Sequence, residues 1–255
     1  MLKSRFISGF IIIIILTIVL YSCKSSDVEK ILTAEERFEL GMKEYEKGNY
    51  LEAIDEFNII TMQYPGSAVS DDAQYYLGEC RFKREEYLLA SYEYETLKRN
   101  MPASPLVPKA QYKIALCYYM LSPKSSLDQT YSWKAIEEFQ TFIEYFPEDS
   151  LVIDAEAKIS ELREKLAKKD YETAILYMNM EYFKAATYYF DKVIDLYHDT
   201  KYSELAYVGK IEALIKRNKI DEAKSETEIF LKKYPQSKFK QKVESIIGVQ
   251  YEKRM

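Results

Sequence analysis

From residue 34 onward, apolar and polar positions alternate with helical spacing, and one register recurs along the chain. An Ala within an amphipathic run is followed twelve residues later by the end of that run, five times: Ala53/Pro65, Ala90/Pro102, Ala135/Pro147, Ala186/His198 and Ala223/Pro235. Four of the five closing residues are Pro, drawn from only seven in the chain. Eight residues further on stands a second Ala: Ala73, Ala110, Ala155 and Ala206. The stretch Ala53-Ile54-Asp55-Glu56-Phe57-Asn58-Ile59-Ile60 has the spacing of a helix with one buried face. The Pro beyond it cannot continue that helix. Just past these breaks come Ser67, Ser104, Ser150 and Ser237, with Thr200 and Ser203 at the His-containing unit. They suit the N-cap of the next helix, and the small Ala positions let neighbouring helices approach closely. The pattern predicts an all-α chain of about five helix-turn-helix units.

Two further positions keep this register. Gly41 and Gly78 lie twelve residues before the first two Ala, preceded by Leu40 and Leu77, and Phe57, Tyr94, Phe139 and Phe190 lie four residues after the first four. Leu-Gly, Ala, aromatic and Pro at these offsets resemble the tetratricopeptide repeat, a helix-turn-helix unit of ~34 residues, which implies a superhelix. In repeat five Ile211 and Thr227 stand where the small residue and the aromatic are expected. The first and second units, and the fourth and fifth, are 37 residues apart. The first-helix to second-helix Ala spacing is 17 residues in repeats two and five, 25 in repeat three (Ala110 to Ala135) and 31 in repeat four (Ala155 to Ala186). The longer spacing of repeat three includes Ser122-Pro123-Lys124-Ser125-Ser126, which reads as a surface loop. That of repeat four has no Gly or Pro, and its 14 additional residues (31 less 17) are close to four helical turns. It predicts one long helix from Val152 to Met178.

The N-terminus has a different pattern. Residues 1–22 carry Lys3 and Arg5 and no acid, and Phe10 to Leu20 is almost unbroken apolar sequence. This reads as a secretory signal. A signal-anchor helix is the alternative, because ~20 apolar residues span a bilayer. Leu20-Tyr21-Ser22-Cys23 resembles the bacterial lipobox, with Tyr21 bulkier than the usual occupant. The resemblance implies that the Cys23 thiol is acylated, the peptide is cut before it, and the new N-terminus is acylated with a palmitate-type chain. Lys24 follows Cys23, which by resemblance to enterobacterial sorting rules does not signal inner-membrane retention. The expected organisation is a signal peptide at 1–22, a lipidated tether at 23–33, repeats one to three at 34–150, repeats four and five at 151–239 opening on the long helix, and a C-terminal helix or tail at 240–255.

Composition narrows the function. Hydrophobic residues are 47% and charged residues 30%, so the chain is foldable rather than disordered. Seven Gly and seven Pro are few for an all-β protein. Three Cys and one His leave little for a structural zinc site, and a single His removes the commonest general base. The net charge of −5 becomes −7 (34 basic against 41 acidic) once Lys3 and Arg5 leave, which argues against nucleic acid. The expectation is a non-enzymatic protein without metal or cofactor.

The lipobox, the tether, the Tyr-Pro-x-Ser junctions, the longer loop of repeat three and the long helix of repeat four together resemble the BamD family of outer-membrane lipoproteins, which belong to the β-barrel assembly machinery. Local matches are Ala73-Gln74-Tyr75-Tyr76-Leu77-Gly78, Phe146-Pro147-Glu148-Asp149-Ser150, and Glu161 to Lys168 with Tyr171. The resemblance implies a non-catalytic lipoprotein, lipid-anchored at the periplasmic face of the outer membrane. Its C-terminal repeats would bind the barrel-forming subunit, with other assembly lipoproteins as further partners. Its N-terminal repeats would receive unfolded outer-membrane proteins, promoting their folding and insertion. The alternative is a periplasmic scaffold of the Tol–Pal, envelope-coordination type. That family shares the junction motif but tends to carry an N-terminal coiled coil and no lipobox.

Candidate site residues follow. Phe38/Tyr45, Tyr75/Phe82 and Tyr112/Tyr119 are aromatic pairs seven apart on the first helix of repeats one to three. They read either as groove lining for an aromatic-rich peptide or as core sharing one helix face. Trp133, beside the loop of repeat three, is a partner anchor or inter-helix packing. Arg163, Lys165, Lys168 and Lys169 on the long helix are a partner interface or a solvated face. His198 is expected at a helix C-terminus, where positive charge is favoured. Cys80 and Cys117 hold equivalent places in successive repeats. First helices pack ~8–10 Å apart, beyond disulfide reach, so two buried thiols are expected.

Overall fold

The computed structural model describes residues 31–245. The predicted signal peptide, Cys23 and the last ten residues lie outside the described residues. Ten helices follow one another in pairs: α1 (Ala34–Glu46) and α2 (Tyr50–Gln63), α3 (Ser70–Lys83) and α4 (Tyr87–Asn100), α5 (Val107–Leu121) and α6 (Thr130–Tyr145), α7 (Val152–Asn179) and α8 (Phe183–Leu196), and α9 (Lys201–Lys216) and α10 (Ile220–Lys233). Residues 240–245 begin a further helical segment. The chain is therefore all-α, with five helix pairs as the register predicts. The long helix α7 runs 28 residues from Val152 to Asn179, one residue past the predicted end.

The register works by size. Ala53, Ala90, Ala135, Ala186 and Ala223 are fully buried, as are Ala73, Ala110, Ala155 and Ala206. Phe57, Tyr94, Phe139 and Phe190 drop into the space those small residues leave and are fully buried too. Each contributes about 1.5–3 kcal/mol of hydrophobic burial. Gly41 lies flat against Phe57 and Gly78 flat against Tyr94, so either ring would collide with a Cβ there. Repeat five solves the same contact in reverse. Ile211 fills the space itself, and buried Thr227 turns its hydroxyl back to donate to the Ala223 carbonyl at 2.8 Å.

Turn chemistry is equally periodic. In four repeats the first helix ends with a residue at positive φ: Gly48 (82°), Glu85 (61°), Glu181 (61°) and Asn218 (60°). At each, that residue's N–H and the next residue's N–H bond back to carbonyls of the last turn, as in Glu181 to Met178 (3.1 Å) and Tyr182 to Tyr177 (2.9 Å). This is the Schellman ending. The predicted N-cap serines do something else. Ser67, Ser104 and Ser237 sit three residues before a helix, where their N–H groups bond the carbonyls of Tyr64, Met101 and Tyr234. Ser104 and Ser237 accept with Oγ from the N–H two residues on, at 3.1 and 3.0 Å. At the third junction Asp149, not Ser150, fills this place and accepts from Leu151 at 2.9 Å. These side chains build the turn, because the backbone needs a further three-residue step before the helix opens.

Polar clamps tie helices both within repeats and between them. Gln74 donates to the carbonyl and carboxylate of Glu93 (3.1 and 2.8 Å), Gln111 does the same to Glu138 (3.0 and 2.9 Å), and Arg37 pairs with Glu56 at 2.9 Å. Buried Glu79 accepts from Tyr94 within repeat two (2.5 Å) and pairs with Lys113 of repeat three (2.7 Å). Lys210 joins Asp191 (2.7 Å) and Glu226 (2.5 Å). First helices touch one another at α1–α3 and α7–α9, whereas no two second helices make comparable contact among the described residues. The first helices are thus the inner row. The long helix α7 places Leu162 and Leu166 in the core of repeat three and Ala174 in the core of repeats four and five, which joins the two.

Candidate functional site

The inner row carries a layer of aromatic side chains. Phe38 and Tyr45 both close on Tyr76 of the next repeat, at ring distances of 5.9 and 5.3 Å, and Tyr76 also stacks on Phe57 at 5.8 Å. Tyr75 packs on Tyr94 at 5.5 Å and Phe82 on Tyr87 at 5.2 Å. Five of the six candidate groove residues are half-buried, with one edge in the core and one toward solvent; Tyr112 is buried. In repeat three they are tied to the long helix: Tyr112 donates to Asp154, and Tyr119 donates to Glu161 at 2.6 Å. Burial, then these carboxylates, raises both phenols, Tyr119 to about 12. Tyr76, the hub of the layer, stands in the sequence only within the family-like stretch Ala73 to Gly78, not among the candidate groove residues.

A second cluster lies where repeats three and four meet. Trp133, at the start of α6, tilts onto Tyr197 with rings 6.3 Å apart. The basic residues of α7 reach outward from the same region. Arg163 grips Asp199 with both arms (2.6 and 2.8 Å) and the Leu196 carbonyl (2.8 Å). That hydrogen-bonded pairing holds the Asp199 carboxyl below its ordinary range. Lys165 donates to Ser122 at 2.8 Å and Lys169 to the Leu127 carbonyl at 2.5 Å, so two lysines pin the loop 122–129 across the long helix. Lys168 meets Glu172 at 3.7 Å. A cleft of about 630 Å³ opens beside that loop, lined by Lys124, Glu161, Glu164, Lys165, Lys168 and Lys201. Two exposed tyrosines that the sequence reading passed over, Tyr182 and Tyr188, flank a cavity of about 690 Å³ with Arg217 at its edge.

The remaining candidates are quickly placed. Cys80 and Cys117 are free and buried, and burial raises both thiols to about 12. His198 is exposed two residues past the end of α8. Among the described residues no group of three or more His, Cys, Asp or Glu is placed to hold a metal, and no helix is long and apolar enough to cross a membrane.

Comparison with known proteins places these features in a family. The family model described as outer membrane lipoprotein, YfiO, matches residues 31–224. A Rickettsia prowazekii (strain Madrid E) protein named outer membrane protein assembly factor BamD is 29% identical over 229 residues, 89% of this chain and 91% of its own. Similar solved structures include the TPR2AB domain of yeast Sti1 in its pHSP90 complex (17% identity, 86% of this chain and 84% of that one, TM-score 0.47). A thermophilic TPR protein from Thermus thermophilus is another (15% identity, 85% and 98%, TM-score 0.36). With the family match covering residues 31–224, nearly the whole helical array, this chain belongs to the YfiO family of outer membrane lipoproteins.

Proposed function

We propose that the chain is a non-catalytic, lipid-anchored scaffold of outer-membrane β-barrel assembly, held to the periplasmic face of the outer membrane through Cys23. Its N-terminal repeats receive unfolded outer-membrane protein segments. Its C-terminal repeats dock the barrel-forming subunit, with companion lipoproteins beside it. The observation that carries this reading is the family match across the helical array, together with a relative named as an assembly factor.

The inner aromatic layer supports the first half of the reading. Outer-membrane strands are rich in aromatics, and half-buried rings such as Tyr45, Tyr75 and Phe82 offer preordered faces to them. The second half is supported by exposed Trp133, Tyr182 and Tyr188 on repeats three and four, side chains of the kind that anchor protein interfaces.

Co-purification from detergent-solubilised envelopes tests it. Recovery of a large β-barrel subunit with the tagged chain is expected. Recovery of Tol–Pal components without that subunit would overturn the reading. A Cys23→Ala chain should leave the membrane fraction; if it stays as before, the anchor is misassigned.

A further inference from the structure

The chain's one tryptophan stands at the mouth of a small cavity between repeats three and four. The cavity is about 200 Å³, with Trp133, Tyr197, Leu166, Asp170 and Asp128 among its walls. Trp133 is 47% exposed, whereas Tyr197 is 1% and Asp170 7% exposed. The phenol oxygen of Tyr197 is buried beside the Asp170 carboxylate, and no side chain or backbone N–H donates to it. A phenol has one proton to give and lone pairs to accept with, so with its proton toward Asp170 the oxygen can still take a donor from outside.

The two lysines on the wall are already committed, Lys192 to Asp170 at 2.9 Å and Lys169 to the Leu127 carbonyl at 2.5 Å. What the wall has to spare is acceptor capacity: the Tyr197 oxygen, further lone pairs on Asp170, and Asp128 at the rim, which accepts from the Thr130 N–H at 2.9 Å. The chain already lays one guanidinium over Tyr197, since Arg163 sits 5.9 Å from that ring centre. The space is below the ~300 Å³ at which small-molecule sites begin, so a single side chain fits and a whole ligand does not.

We propose that this cavity takes one arginine side chain from a protein partner, its guanidinium stacked on Trp133 and hydrogen-bonded to Asp170 and the Tyr197 oxygen. A guanidinium is flat enough to stack and carries several N–H donors in one plane, which an ammonium does not. The inference rests on the docking role proposed above and names the chemistry of one contact in it.

Trp133, as the sole tryptophan, reports on the cavity directly. The full chain in detergent is titrated at constant ionic strength with Nα-acetyl-arginine amide and with Nα-acetyl-citrulline amide, its neutral isostere. The arginine compound should change Trp133 emission saturably. Citrulline should bind at least about tenfold more weakly, as should arginine to Asp170→Asn, because a charge-assisted contact is lost. Tyr197→Phe keeps the ring and removes only the hydroxyl, and should weaken arginine by about threefold or more. No saturable change, equal response to citrulline, or unaltered binding in folded Asp170→Asn and Tyr197→Phe would overturn the proposal. Should Asp170→Asn fail to fold, Tyr197→Phe and the citrulline comparison decide alone. Loss of arginine binding with intact co-purification removes the pocket and keeps the docking role; the reverse result removes the docking role and keeps the pocket.

Discussion

Replacing Gly78 by Ala should weaken this protein, although Ala is the better helix former. Gly78 lies inside α3, where Ala gains about 1 kcal/mol of helix stability over Gly. Against this, its Cβ would lie 2.7 Å from both Cδ1 and Cζ of Tyr94, well inside van der Waals contact. The ring has nowhere to retreat. Tyr94 is fully buried, packs on Tyr75 at 5.5 Å, and its hydroxyl donates to Glu79 at 2.5 Å. Overpacking of this kind costs about 1–3 kcal/mol, and the rigid ring puts the case toward the upper end. The expected net loss is about 1–2 kcal/mol, or about 3–6 °C in melting temperature for an array of this size. Urea unfolding followed by circular dichroism reads it. Gly66→Ala is the control: nothing lies within 4 Å of its added Cβ, so its effect should stay within about 0.5 kcal/mol. In a Tyr94→Ala background the collision is gone, and Gly78→Ala should then stabilise. A Gly78→Ala chain as stable as the parent, or a penalty that survives in the Tyr94→Ala background, would refute the packing argument.

Three further outcomes follow from the same coordinates. Glu181 is exposed at φ 61° in a Schellman turn, so Glu181→Gly should stabilise by about 0.5–1 kcal/mol by relieving a left-handed conformation; an unfolding midpoint that falls would contradict this. Cys80 and Cys117 should resist a thiol reagent at pH 8 and react at the rate of unfolding as urea is added, whereas rapid native labelling of either would show that its burial is wrong. Burial, reinforced by the Glu79 charge, raises Cys80, Tyr75 and Tyr94 above their ordinary values, Cys80 to about 12. The folded state therefore keeps protons that the unfolded chain gives up. That stability is complete below the unfolded thiol value of about 8.5 and drains as pH climbs through the tyrosine range near 10. Urea midpoints should fall from about pH 9 upward, with phenolate absorbance lagging behind that of free tyrosine; flat midpoints to pH 11 would count against it.

The helices, their pairing and even the long helix of repeat four were legible along the chain, because they follow from local spacing. An Ala, an aromatic four residues on and a Pro eight beyond that state which face is buried and where a helix stops. They hold whatever the neighbouring repeats do. The turn residues were legible only in part. Gly48 and Asn218 advertise a left-handed position, while Glu85 and Glu181 adopt it without any sequence signal, since the Schellman bonds and the packed second helix impose it. Ser67 and its equivalents were legible as junction residues, but whether they cap the helix or the turn before it depends on three backbone steps that no side-chain pattern records.

The site depended on partners far apart in sequence. Tyr112 and Tyr119 are aromatic at the right spacing for a groove, yet Asp154 and Glu161, 42 residues later in each case, decide how they are held. Arg163, Lys165 and Lys169 read as a basic run on a helix; only the fold shows them gripping Asp199 and pinning loop 122–129. Local periodicity specifies which side of each helix faces inward. Which charge or ring meets it there depends on how successive repeats stack, so tertiary structure alone joined Trp133, Asp170 and Tyr197 around one cavity.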